Sequence, residues 1–122
     1  MAPAKHWQQV EGAAVFLAAL VGLWVVGLPF AVWVAFAIFW APDLVFGLYL
    51  LGPRIGGAAY NCVHIYGFGA AVLAAGLLGG WPWLAAAGAL WMGHAGFDRM
   101  LGYGLKLPTG FQDTHLGRIG RR

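Results

Sequence analysis

Four apolar blocks, parted by short stretches rich in glycine and proline, organise the chain. The first runs from about Val10 to Gly27, where Gly27, Leu28 and Pro29 end it, because proline lacks a backbone donor and disfavours helix in the residue before it. The second extends from about Phe30 to Leu51 and is interrupted near Pro42 and Asp43; Gly52 and Pro53 close it. The third covers Arg54 to Leu78, and a turn of Gly79, Gly80, Trp81, Pro82 and Trp83 leads into the fourth, Leu84 to Tyr103. A polar segment, Gly104 to Arg122, follows. Blocks of about 18 to 25 residues match the roughly 20 needed to cross a bilayer as helix. The pattern therefore predicts an all-α fold: a single domain of 122 residues, an integral membrane bundle of four transmembrane helices with a short polar C-terminal tail.

Composition agrees. Hydrophobic residues make up 61% of the chain and charged residues 9%, whereas an ordinary soluble domain carries roughly a quarter charged residues. The net charge of +3 does not indicate a nucleic-acid partner, since the few basic residues sit at the ends of apolar blocks. They serve membrane orientation better. With an inside N-terminus, Lys5, Arg54, Arg99, Lys106, Arg118, Arg121 and Arg122 all fall in or beside the inside segments, as the positive-inside rule requires. Trp24, Trp33, Trp81 and Trp83 gather at the two short outer turns, where amphipathic rings prefer to sit. The expected location is an inner (cytoplasmic) membrane, multi-pass, with both termini cytoplasmic. Lys5 and His6 before the first block resemble the start of a secretory signal, yet no small-residue cleavage site in a polar setting follows, so the block is expected to remain a span. Cys62 is expected to be a packing residue.

Candidate chemistry lies in the polar residues that interrupt the apolar blocks. A charge at the centre of a membrane helix costs about 2.5 to 3.5 kcal/mol on the mildest scale. Asp43 stands at the interruption of the second span, Asn61 and His64 on the third, and His94, Asp98 and Arg99 on the fourth. His94 and Asp98 are four apart and share a helix face, as do Asn61 and His64, three apart. At about 1.5 Å per residue, His64 lies about 15 Å above Arg54 and His94 about 14 Å above Tyr103, so the imidazoles can meet at one depth. Glycines and alanines around both histidines permit close helix approach. Asp43, His64, His94 and Asp98 together offer the nitrogen and oxygen ligands that zinc, iron or manganese accept. A carboxylate beside a histidine can instead tune its basicity.

The tail reads as a fixed loop rather than a helix, with glycines alternating with aromatic and hydrogen-bonding residues from Gly102 to Gly117. Its simplest placement is an exposed cytoplasmic tail, and the alternative is that Asp113, Thr114 and His115 fold back over the inner mouth of the bundle and add ligands or a gate. Several stretches carry a resemblance: Ala41-Pro42-Asp43-Leu44, Gly52-Pro53-Arg54 with Gly56, Tyr60-Asn61 with His64, His94 through Gly104, Pro108-Thr109-Gly110-Phe111, and Asp113-Thr114-His115-Leu116-Gly117. In these the chain resembles the domain of unknown function 4260 family of small bacterial membrane proteins over nearly its whole length. Leu107 departs from the pattern, where an aromatic residue is expected. The resemblance implies a four-helix membrane protein and supplies no activity.

Three functional readings follow from the residues. In an intramembrane enzyme, Asp43, His64, His94 and Asp98 act as ligands of a divalent metal or as acid/base groups, with Asn61 and Arg99 orienting or neutralising a polar headgroup or small substrate. In an accessory subunit of a larger membrane complex or homo-oligomer, the same residues are a hydrogen-bonded core, with Arg99 pairing Asp43 or Asp98. In a haem b or transport protein, the two histidines ligate one iron or the helix breaks line a path; the adjacent carboxylates and the dry outer half argue against both.

Overall fold

The computed structural model describes residues 2–120, so Arg121 and Arg122, counted above toward the inside charge, lie outside the described residues. The chain is all-helical apart from a small hairpin. Helix α1 spans Ala2–Val26 and begins well before the apolar block, carrying Lys5 and Glu11 in its first three turns. It stops at Gly27, whose φ of 91° leaves the helical region. Helix α2, Val32–Trp40, passes directly into a 3-10 helix, Ala41–Leu51. The switch has a local cause: the Ala41 N–H bonds the Ile38 carbonyl three residues back, and Pro42 has no N–H to restore the α pattern.

Helix α3 covers Pro53–His64 and α4 covers Tyr66–Gly79. The sequence reading placed one span here, but Ile65 is extended (φ −80°, ψ 149°) and the two helices meet at 47°. No proline causes this break. It is held from α5, Pro82–Met100, whose side chains satisfy the carbonyls the break releases: Trp91 Nε1 donates to Val63 O at 2.9 Å and Arg99 to His64 O at 2.9 Å. Replacing Arg99 by leucine strips donors from the carbonyls of His64 and Tyr103. At about 1–3 kcal/mol per unsatisfied buried group, unfolding in detergent is expected to show a loss of about 3 kcal/mol, only partly recovered by Arg99→Lys.

The helices are layered around one central element. Helix α5 is central, packed against α1, α2 and α4, and buries ten residues, including His94, Asp98 and Arg99. The outer helices turn apolar residues outward instead; Trp24 is 88% exposed, and Val21, Val25 and Val26 beside it are also exposed. Two helices, Pro3–Val26 and Val32–Leu51, are long and apolar enough to cross a membrane, and the bent pair α3–α4 makes a third if it is one span. Close contact between helices rests on glycine. A Cβ on Gly88 of α5 would collide with the backbone of Leu73 on α4, and one on Gly96 would come 2.7 Å from Gly12 O on α1.

The tail is anchored to the bundle at a few points. Asn61 of α3 grips the backbone of Lys106 with both ends of its amide, donating to Lys106 O at 2.8 Å and accepting from its N–H at 2.6 Å. Lys106 and Thr114 are buried. Strands β1 (Asp113–Thr114) and β2 (Gly117–Arg118) form a short antiparallel hairpin beyond. The expectation of an exposed tail holds for most of its residues and is corrected at Lys106, which is held against α3 through its backbone, a pairing with one asparagine that leaves no periodic trace in the sequence.

Candidate metal centre

Four side chains from three elements converge. Asp43 comes from the 3-10 helix, His64 from the last residue of α3, and His94 and Asp98 from one face of α5. The break after His64 serves this arrangement, since the terminal residue of α3 aims its ring at α5 while its carbonyl is capped by Arg99.

The distances are nearly uniform. His64 Nε2 stands 3.2 Å from Asp43 Oδ1 and 3.5 Å from Asp98 Oδ2; His94 Nε2 stands 3.1 Å and 3.4 Å from the same atoms. The two Nε2 atoms are 3.3 Å apart, and all four ligand atoms lie within 4.8 Å of one another. A tetrahedron's edge is about 1.63 times its centre-to-vertex distance, so zinc ligands at about 2.0–2.1 Å stand about 3.3–3.4 Å apart. Five of the six edges here fall at 3.1–3.5 Å.

Hydrogen-bond bookkeeping points the same way. His64 Nδ1 lies 2.9 Å from the Tyr60 carbonyl, which can only accept, so Nδ1 carries a proton and the neutral ring has its lone pair on Nε2, the nitrogen that faces the cluster. That lone pair faces two carboxylate oxygens and a second imidazole nitrogen. Facing lone pairs repel, and a cation, either a metal ion between them or a proton on Nε2, removes the repulsion. Two carboxylates and one divalent ion are also neutral together, which matters in a low dielectric where an isolated charge is costly.

Second contacts fix the rings. Tyr60, four residues before His64, stacks on its imidazole at 3.7 Å and 8°, and its hydroxyl donates to Asp98 Oδ2 at 3.3 Å. Phe39 and Trp40 pack edge-on to His94 at 5.2 and 5.5 Å, while His94 Nδ1 has no hydrogen-bond partner among the described residues. Behind Tyr60 sits Lys106, its Nζ 5.0 Å from that ring and 3.9 Å from the Phe111 ring, donating to Phe111 O. Burial lowers the Lys106 pKa, and the carboxylates of Asp98 and Asp43 oppose that shift.

A family profile described as Domain of unknown function (DUF4260) matches residues 5–119. The chain belongs to this family. No curated protein and no solved structure matches it.

In this DUF4260 member the six sequence-predicted residues divide. Asp43, His64, His94 and Asp98 meet in one cluster. Asn61 and Arg99 lie beside it and bond elsewhere: Asn61 to the tail, and Arg99 to the carbonyls of His64 and Tyr103 with Tyr66 under its guanidinium at 5.6 Å. Arg99 forms no ion pair with Asp43 or Asp98. Tyr60 and Lys106 are the residues that sequence reasoning missed. Tyr60 carried a signal, its i,i+4 spacing to His64; Lys106 carried none.

The tail's attachment is expected to depend on pH. His115 Nδ1 accepts from the Leu105 N–H at 2.8 Å. Partial desolvation of the ring, then the charge of Arg99, lower its pKa below the ordinary histidine value of 6.5. A depressed folded pKa means the unfolded tail binds more protons, so stability is complete above about pH 6.5 and falls as pH drops below it. Hydrogen exchange at the Leu105 amide, corrected for intrinsic rate, is expected to speed up between pH 7.5 and 5.5 and to lose that dependence in His115→Leu.

Proposed function

We propose that this protein is a four-span integral membrane protein that holds a divalent metal ion, zinc by geometry, at Asp43, His64, His94 and Asp98, and uses it for hydrolytic or acid/base chemistry. The observation that carries the reading is the near-equal spacing of four acceptor atoms around one point, with the His64 proton committed to the Tyr60 carbonyl. With all four residues bound, zinc would have no free position, so water would bind only where Asp43, the ligand at the open edge, gave up its place or the ion took a fifth ligand. A divalent ion there would act as a Lewis acid and lower the pKa of that water toward about 7. Asp43, the one ligand with an exposed edge, marks where a substrate can approach.

Membrane insertion is supported by the apolar outer surface, larger than a water-facing protein tolerates. Helix α5 is read as the fourth span. It is less apolar than the others because its small and polar residues face protein rather than lipid. Gln9 of α1 donates to Met100 O at the end of α5, which supports both termini lying on one side, the cytoplasmic side by charge. The cluster then lies in the inner half, since His94 is six residues, about 9 Å, from that end.

Elemental mass spectrometry of detergent-purified wild type and His94→Ala tests the proposal. Close to one metal per chain is expected in the first and a loss in the second. Protein free of metal that also binds none on titration would leave the cluster as a polar core that fixes helix register.

A further inference from the structure

The cluster is closed on most sides. His64 and His94 are fully buried and Asp98 nearly so, and the tail covers the Tyr60 side through Lys106. Asp43 alone has an open edge, with 31% of its side chain exposed. What flanks that edge is apolar: Trp40 is 46% exposed and Leu44 81%. Residues three apart eclipse in 3-10 geometry, so Trp40 and Asp43 share a face.

Trp40 also belongs to something larger. With Phe39 it lines an apolar groove of about 670 Å³ that runs between α1 and α2 to Trp24 and Leu28 at the opposite turn, floored by Leu90 and Phe97 of α5. From Trp40 to Val32 alone this is about 12 Å along the helix. The inner end of the groove and the open edge of the cluster therefore meet at one side chain. A second apolar groove, about 480 Å³ between α1, α4 and α5, touches no neighbour of Asp43.

Resting on the metal-centre reading, we propose that the substrate is a membrane lipid: its apolar chain lies in the α1–α2 groove and its oxygen-bearing headgroup reaches the cluster past Asp43, arriving sideways from the bilayer. A water-soluble substrate would need an opening framed by polar residues, whereas Trp40 and Phe46, which share the face of Asp43, and its chain neighbour Leu44 are apolar and exposed.

The test uses the full chain in nanodiscs and two palmitate probes, one with a diazirine beside the carboxyl and one with it at the terminal carbon, mapped by mass spectrometry after photolysis. Labelling that unlabelled palmitate competes away is expected, at Trp40 or Leu44 for the carboxyl-end probe and at Trp24 or Leu28 for the terminal probe. Ala35 is buried at the groove wall, so Ala35→Trp is expected to cut this saturable labelling at least tenfold while leaving metal content and labelling of the second groove unchanged. Leu20→Trp, from the facing helix, gives the same readout if Ala35→Trp fails to fold. Labelling that does not saturate, spreads evenly over both grooves, or is unmoved by either variant overturns the proposal. Saturable, oriented labelling of a metal-free protein supports the groove and refutes the metal centre. Bound metal without saturable labelling refutes the groove alone.

Discussion

Asp43→Asn is expected to weaken metal affinity by about 100-fold or more while leaving the fold intact. The substitution keeps the shape of the side chain and removes the charge that, with Asp98, makes a divalent site neutral. Changes to groups that merely support a ligand already cost about 10–100-fold in affinity, and this change acts on the ligand itself. The fold should survive because Asp43 sits at the open edge of the cluster on the 3-10 helix, where its carboxylate bonds only the two imidazoles. Competition with a chromophoric chelator measures the affinity, and circular dichroism checks the helices. Unchanged affinity would remove Asp43 from the ligand set.

The second large effect is on packing. Gly88 lets α5 lie against Leu73 of α4 with backbone touching backbone, the arrangement by which small residues hold membrane helices together in the absence of a hydrophobic driving force. Gly88→Val places three carbons where there is room for none. Overpacking costs of about 3 kcal/mol are usual at the upper end, and a rigid backbone on the other side offers no relief. The midpoint of thermal unfolding in detergent should drop by on the order of 10 °C. Since α5 carries both His94 and Asp98, the same variant should weaken the metal site at a distance of almost two helical turns. A variant as stable as wild type would mean that α4 and α5 do not pack through this glycine.

The convergence of the two histidines was legible in the sequence because it depended on local quantities: a rise per residue, an i,i+4 pair, and breaks at Pro42 and Pro53. Depths of about 15 and 14 Å, counted from the inner ends, place the imidazoles level, and the Nε2 atoms stand 3.3 Å apart. The break at Ile65 was not legible, because its determinants are Trp91 and Arg99, 28 and 35 residues from the carbonyls they satisfy. Arg99 shows the limit of reasoning by charge alone. A buried guanidinium among carboxylates suggests an ion pair, yet it is committed to main-chain carbonyls. The 11-residue 3-10 helix likewise exceeds what local rules allow, since such runs seldom pass three or four residues; it is stable here packed against α3 through contacts such as Tyr49 over Gly56 and Phe46 stacked on Tyr60. The tail's seal on α3 depends on main-chain atoms of Lys106, which have no side-chain pattern to read.

The most direct test of the metal centre is X-ray absorption at the zinc edge on purified, zinc-loaded protein. Four light ligands at about 2.0–2.1 Å, with the outer-shell scattering of two imidazoles, are expected, and one imidazole should vanish in His64→Ala. A six-coordinate shell without imidazole scattering, or a spectrum identical in wild type and His64→Ala, would contradict the site.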